Sequence, residues 1–352
     1  MNRKFFKKLI RFTPLFLLLG TLIFSDSTSH AQEAPDTNRD VRGDLLLIIG
    51  ASGTEDYAAQ FQEWAGKWRE VAQTGNVRVT FFHGDEDEQM LEKIQQTLTD
   101  LRREEHLPLW IVLIGHGTFD GAHAKFNLPG PDLEPTMLQS CLEGMTRPLA
   151  VINCFSASAP FVPELHAPKR VVIAATSSGH EVNFSRFGGF LADSLSHPEA
   201  DLDKDQQVSL LEAFLRATRL TEDFYQSDGR LATEHAILDD NGDGQPVSAE
   251  GFDGLIPVRR KDADRQIPDG IIAHQWVMIP NAEDAALTPE QIARRNEIEQ
   301  RISQLRMNKN AMPREEYYSA LEALLLELAS VLQITPSPAN PPNSPTNTPS
   351  VD

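Results

Sequence analysis

A histidine and a cysteine, each closing a short apolar run, are the residues of this chain best placed for chemistry. The first run is Leu109-Trp-Ile-Val-Leu-Ile114, followed by Gly115-His116-Gly117; the second is Pro148-Leu-Ala-Val-Ile152, followed by Asn153-Cys154-Phe155-Ser156. Runs of this length, bounded by Gly, Pro and polar residues, predict buried strands of a parallel sheet. Open α/β sheets bind ligands beyond the carboxyl ends of their strands, so His116 and Cys154 are expected on one rim of one sheet. An imidazole beside a thiol is the arrangement for acyl transfer through a cysteine nucleophile. Cys154 would attack a peptide carbonyl; His116 would protonate the leaving amine and then assist water. The same two residues also fit a turn histidine and an inert buried thiol.

The elements that must position them follow from periodicity. Leu45–Ile49 reads as a strand, and 55–73 as a helix with Tyr57, Phe61, Trp64 and Trp68 on one face. A strand at 76–82, a helix at 86–105, the His116 strand, a helix at 134–144, the Cys154 strand and a strand at 170–175 continue the alternation. That pattern predicts an α/β fold, a mostly parallel sheet with helices on both faces. The main domain is expected over 44–255 and a connecting segment over 256–287. Thr288-Pro-Glu-Gln291 is a capping box with proline at the first helical position. It opens a helical hairpin over 288–334, with helices at 289–308 and 313–333. Leu321, Leu324, Leu325, Leu328 and Leu332 line one side of the second helix, which is expected to pack on itself, on the main domain or on a second copy. The Pro/Ser/Asn/Thr stretch 335–352 has the composition of a disordered tail.

The 352 residues carry a net charge of −19. Such acidity argues against a nucleic-acid partner, whose phosphates need a basic surface, and against docking on anionic lipid. Residues 1–31 read as an export signal: Arg3, Lys4, Lys7, Lys8 and Arg11, then the uncharged run Phe12–Phe24, then Ser29-His30-Ala31. The run is well short of the ~20 residues that span a bilayer. Export to the periplasm or outside the cell is expected, with a polar linker at 32–43 and no stable membrane insertion after signal removal. The only cysteines are Cys141 and Cys154. Free thiols are expected of them, since disulfide-stapled domains carry many more cysteines.

Two acidic stretches follow the twelve-residue calcium-loop template. In Asp201-Leu-Asp203-Lys-Asp205-Gln-Gln207-Val-Ser209-Leu-Leu-Glu212, oxygen ligands fall at positions 1, 3, 5 and 9. The Gln207 carbonyl stands at position 7 and the two-oxygen Glu212 at position 12. Gln206 occupies position 6, where the sharp turn favours glycine. The second stretch, Asp239-Asp-Asn241-Gly-Asp243-Gly244, keeps that glycine and has Glu250 at position 12, with Pro246 in place of the usual apolar residue. The 38-residue offset between the loops is near that of paired EF-hands. Ca²⁺ is thus the expected cofactor.

The order His then Cys, with the segments around them, resembles the caspase-fold cysteine peptidases, most of all the legumain-like branch and its exported bacterial members. The resemblance rests on Gly50-Ala-Ser-Gly53 after the first strand, Gly115-His116-Gly117, Asn153-Cys154 with Ser156-Ala-Ser158, and Val171–Ser178 followed by Glu181 and Phe187. It implies a caspase-like sheet and a cysteine endopeptidase with peptide or protein substrates. It also implies an oxyanion hole made by the backbone N–H groups of Gly117 and Cys154. Ile152 stands where legumains carry an acid, so asparaginyl specificity is not part of what it implies. The alternative on the same fold is an inactive, calcium-stabilised binding or scaffold module.

Overall fold

Leu45 to Ile49 alternate between two cores, and that alternation sets the layers of the protein. The computed structural model describes residues 41–84, 87–103, 107–258 and 267–332. The export signal, most of the linker and the tail from 335 lie outside the described residues, as do the outer ends of the expected 86–105 helix. Strand β1 (Gly43–Ile49) leads to helix α1 (Glu55–Thr74), β2 (Val77–Phe82), α2 (Met90–Leu101) and β3 (Leu109–Ile114). A short hairpin follows, β4 (Gly117–Phe119) with β5 (Ala124–Phe126), then α3 (Pro135–Leu142), β6 (Leu149–Cys154), α4 (Phe161–Leu165) and β7 (Arg170–Ala174). Next come α5 (Phe187–Ser194), α6 (Leu210–Ser227), β8 (Ile237–Asp239), and the two-residue strands β9 (Phe252–Asp253) and β10 (Ile256–Pro257). The chain closes with α7 (Ile271–His274), α8 (Ala282–Ala285), α9 (Pro289–Met307) and α10 (Arg314–Val331).

Six strands form one sheet in the order β2-β1-β3-β6-β7-β8, parallel throughout except for β8. Leu45, Leu47 and Ile49 point into a core shared with Phe61, Trp64 and Trp68 of α1, Phe187 and Leu191 of α5, and Phe214 of α6. Leu46 and Ile48 point into the opposite core, with Ile94 and Leu98 of α2, Leu138 of α3 and Phe161 of α4. Strands this uniformly apolar are stable only when covered on both faces. The expected α/β sandwich is therefore the fold, and both cysteines are free thiols.

The connecting segment is more than a connection. Trp276, Met278 and Ala273 are buried in the α1-side core, and Trp276 meets Trp110 of β3 edge to face at 4.8 Å. Residues 273–278 thus belong to the main body. Beyond them, α9 and α10 pack on each other through Ile298, Ile302 and Leu324, with Leu321 and Leu328 beside them. Leu325 lies on the exposed side, 48% accessible, outside the stripe expected of it. Arg295 of α9 pairs with Asp284 of α8, and Gln275 donates to Asn296 O, which ties the hairpin to the core segment. Among the described residues no helix is long and apolar enough to cross a membrane.

Candidate functional site

Cys154 is the last residue of β6 and still part of its ladder, register partner of Ile114 on β3. Side chains alternate along a strand, so Cys154 is in phase with Ala150 and Ile152, and all three enter the α1-side core. The thiol is fully buried. Helix α5 closes over it: a Cβ placed on Gly188 would stand 2.5 Å from Cys154 Cβ and 3.1 Å from its sulfur. The helix is held there by Glu234, itself buried, whose carboxylate accepts from Ser185 Oγ at 2.6 Å and from the amides of Arg186 and Phe187 at the start of α5. Burial pushes the Cys154 thiol far above its ordinary value, and the nearby Glu234 charge adds to the rise. Reactive cysteines need the reverse, a pKa lowered by a cation, a histidine or a helix N-terminus.

His116 sits two residues beyond β3, partly buried. Its ring lies among Tyr57 at 4.7 Å, Phe61 at 5.2 Å and Phe184 at 5.9 Å, centroid to centroid. Nε2–H donates to the Ser52 carbonyl at 3.2 Å. Among the described residues no hydrogen bond joins His116 to Cys154. Burial lowers the His116 pKa below 6.5 and outweighs the Ser52 hydrogen bond, which acts the other way. The unfolded chain therefore binds more protons than the folded one below about pH 6.5, and stability falls as pH drops through that window. Acidifying from about pH 7.5 to about 5.5 should lower the urea midpoint of the native chain more than that of His116→Gln. Equal shifts in the two proteins would show that the imidazole contributes nothing to the pH slope.

Gly117, the expected oxyanion donor, has another partner. Its amide donates to Ser156 Oγ at 3.2 Å, and that hydroxyl donates back to the Gly117 carbonyl at 3.1 Å. The contact is close enough that a Cβ on Gly117 would lie 2.1 Å from Ser156 O, which is why glycine stands there. Ser156 is buried. Sequence reasoning missed the Ser156, Gly188 and Phe184 contacts: two are made by small residues far away in the chain, and nothing in the spacing of Phe184, Phe187 and Phe190 aims the first of them at His116. Tyr57 and Phe61 were visible only as core positions. Glu181 does find partners, accepting from Ser177 Oγ at 3.0 Å, with His235 Nδ1 2.7 Å away.

The acidic loops keep the backbone the template demands. In the first, Lys204 and Gln206 take φ of +65 and +71; in the second, Gly242 and Gly244 take +78 and +71. Carboxylate oxygens of Asp201, Asp203 and Asp205 gather within 4.8 Å of one another, and Asp203, Glu212 and His274 form an overlapping group. Both Glu212 oxygens also accept from the loop itself: Oε2 from Ser209 N and Oγ, both at 2.8 Å, and Oε1 from Leu202 N at 2.7 Å. Gln207 donates from Nε2 to Asp205 Oδ2. Asp239, Asn241 and Asp243 line up in the second loop with successive side-chain-to-amide bonds. The two loops are not bridged to each other as paired EF-hands are. Ser209 bridges to Val277, and Val247 to Leu238 of β8, the strand that leads into its loop.

Fold and site together define an α/β protein with a His-Gly turn and a cysteine at the ends of neighbouring parallel strands. Comparison with known protein families gives no matching family model, and comparison with curated proteins gives no match. Among solved structures, the Drosophila initiator caspase Dronc aligns with a TM-score of 0.41 at 13% identity, over 67% of this chain and 96% of that one. Caspase-1 from Spodoptera frugiperda aligns with a TM-score of 0.39 at 12% identity, over 59% of this chain and 91% of that one.

Proposed function

We propose that this chain is a caspase-like protein without peptidase chemistry, serving as a binding or scaffold module for a peptide or protein partner. The carrying observation is the burial of Cys154 in the apolar core beneath Gly188. A nucleophile must reach a substrate carbonyl as a thiolate; a sealed thiol with a raised pKa does neither. The Gly117 amide, engaged by Ser156, supports the same reading. Export accompanies it on the strength of residues 1–31 alone.

A second reading, a latent cysteine endopeptidase, has one observation in its favour. His116 and Cys154 do lie at the carboxyl ends of adjacent parallel strands. It requires α5 to leave the thiol and Ser156 to release Gly117. A panel of peptide probes bearing an electrophilic ketone separates the two, run with and without Ca²⁺. The module reading expects no adduct, and the same blank from Cys154→Ala. An adduct on the native chain that disappears in Cys154→Ala would establish the peptidase instead.

A further inference from the structure

Buried carboxylate oxygens without a hydrogen-bond partner are rare, because an ionised carboxylate only accepts and its desolvation is costly. Among the described residues four buried side-chain polar atoms have no partner: Trp68 Nε1, Asn153 Oδ1, Asp201 Oδ1 and Asp239 Oδ2. Two of the four belong to the first residue of a calcium-loop template. Asp239 is the stronger case, because the whole residue is inaccessible to solvent. Its Oδ1 accepts from Gly242 N at 3.0 Å, and Oδ2 is left over.

We propose that the Asp239–Glu250 loop binds a calcium ion, with Asp239 Oδ2 as its buried ligand. Asn241 and Asp243 supply side-chain oxygens at positions 3 and 5, Gln245 its carbonyl at 7, and the exposed Glu250 its carboxylate at 12. Hard oxygen donors in this number suit Ca²⁺ better than the smaller Mg²⁺. The loop is held from outside as well. His166 Nδ1 lies 2.8 Å from Gly242 O, and the ring packs on Gly244. A Cβ on Gly242 would meet the Ala167 backbone at 2.7 Å, so positive φ and close approach both demand glycine there. The next residue, Asp240, accepts from Gly270 N and Ala273 N, while Asp269 accepts from Asp240 N and Asn241 N. The ion would therefore fix the end of β8, the His166 turn and the start of α7 as one unit. It would also offset the mutual repulsion of Asp239, Asp240, Asp243 and Asp269.

This inference is independent of the reading of Cys154. Its test is calorimetric titration of the chelator-treated full chain with CaCl₂ and, separately, MgCl₂. Asp239→Asn, Asp243→Asn and Asp203→Asn are run beside it, with circular dichroism confirming the fold of each. Asp243→Asn keeps an oxygen for the Gln245 amide and decides the matter if Asp239→Asn does not fold. The expected result is calcium binding by the native chain, at least about tenfold tighter than magnesium. One site should be lost or weakened at least about tenfold in Asp243→Asn and kept in Asp203→Asn. No calcium binding by the native chain at millimolar concentration overturns the proposal. So does unchanged binding in Asp243→Asn, or loss of all binding in Asp203→Asn alone.

Discussion

A small thiol reagent should find one fast-reacting cysteine in the native chain and two after unfolding. The fast one is Cys141, half-buried on α3; Cys154 should lag by a factor of at least about 10³. The reasoning is physical exclusion. Both faces of β6 are covered, α5 stands over the sulfur, and Glu234 holds the start of α5 with bonds from Ser185, Arg186 and Phe187. Reagent therefore reaches Cys154 only through an opening as large as the loss of α5, whose population follows the free energy of that opening. Burial also leaves almost no thiolate to react. Cys141→Ser isolates the slow site, and mass spectrometry with time reads both rates. Rates for Cys154 within about tenfold of those for Cys141 would mean that α5 lifts readily, and would favour the latent-peptidase reading.

The difference between an active and a silent cysteine here turns on two residues of strand length. From the sequence, the apolar run Leu149–Ile152 sets the strand, and Cys154 lies beyond it on the rim. In the fold β6 keeps its ladder through Cys154, and the pleat places that side chain in phase with Ile152. The strand end is misplaced in the sequence because Asn153, a residue type that ordinarily marks a turn, here continues the ladder. Asn153 is accommodated by donating from Nδ2 to Ile173 O on β7. The layered architecture was legible for the opposite reason: β1, β3 and β6 are long apolar runs, and α1 repeats its aromatics at helical spacing. The β4–β5 hairpin was not legible, since Gly117-Thr-Phe and Ala124-Lys-Phe are too short to show a period. Nor was the burial of Trp276 and Met278, whose four-residue apolar run Trp276-Val-Met-Ile279 is too short to show which core it enters. The acidic loops were legible because alternate oxygen-bearing residues are a local code. What the code omits is distant in the chain: His274 beside Asp203, and Asp269 on the amides of Asp240 and Asn241.

Arg147→Ala should cost about 3–5 kcal/mol of stability, the largest single-residue effect expected outside the apolar cores. Arg147 lies just before β6, at the end of the sheet opposite His116, and its guanidinium is fully buried. It pairs with Asp44 on β1 at 2.6 Å and donates to the carbonyls of Leu107 at 2.6 Å and Leu101 at 2.8 Å. One cation thus joins the starts of β1 and β6 to the chain between α2 and β3. Removing it leaves those two carbonyls without their buried donor and Asp44 with only the partly exposed Arg78, 2.7 Å from its other oxygen. An uncompensated buried acceptor is what makes such a loss large. Because the Arg147 guanidinium touches neither His116 nor Cys154, the loss should register in stability. Urea unfolding should show a lower midpoint at unchanged slope. Arg147→Lys restores the charge without the fork of donors and should recover only part of the loss. A midpoint for Arg147→Ala equal to that of the native chain would show that Arg78 and water replace the guanidinium fully. The amino end of the sheet would then be held by its hydrophobic layers alone.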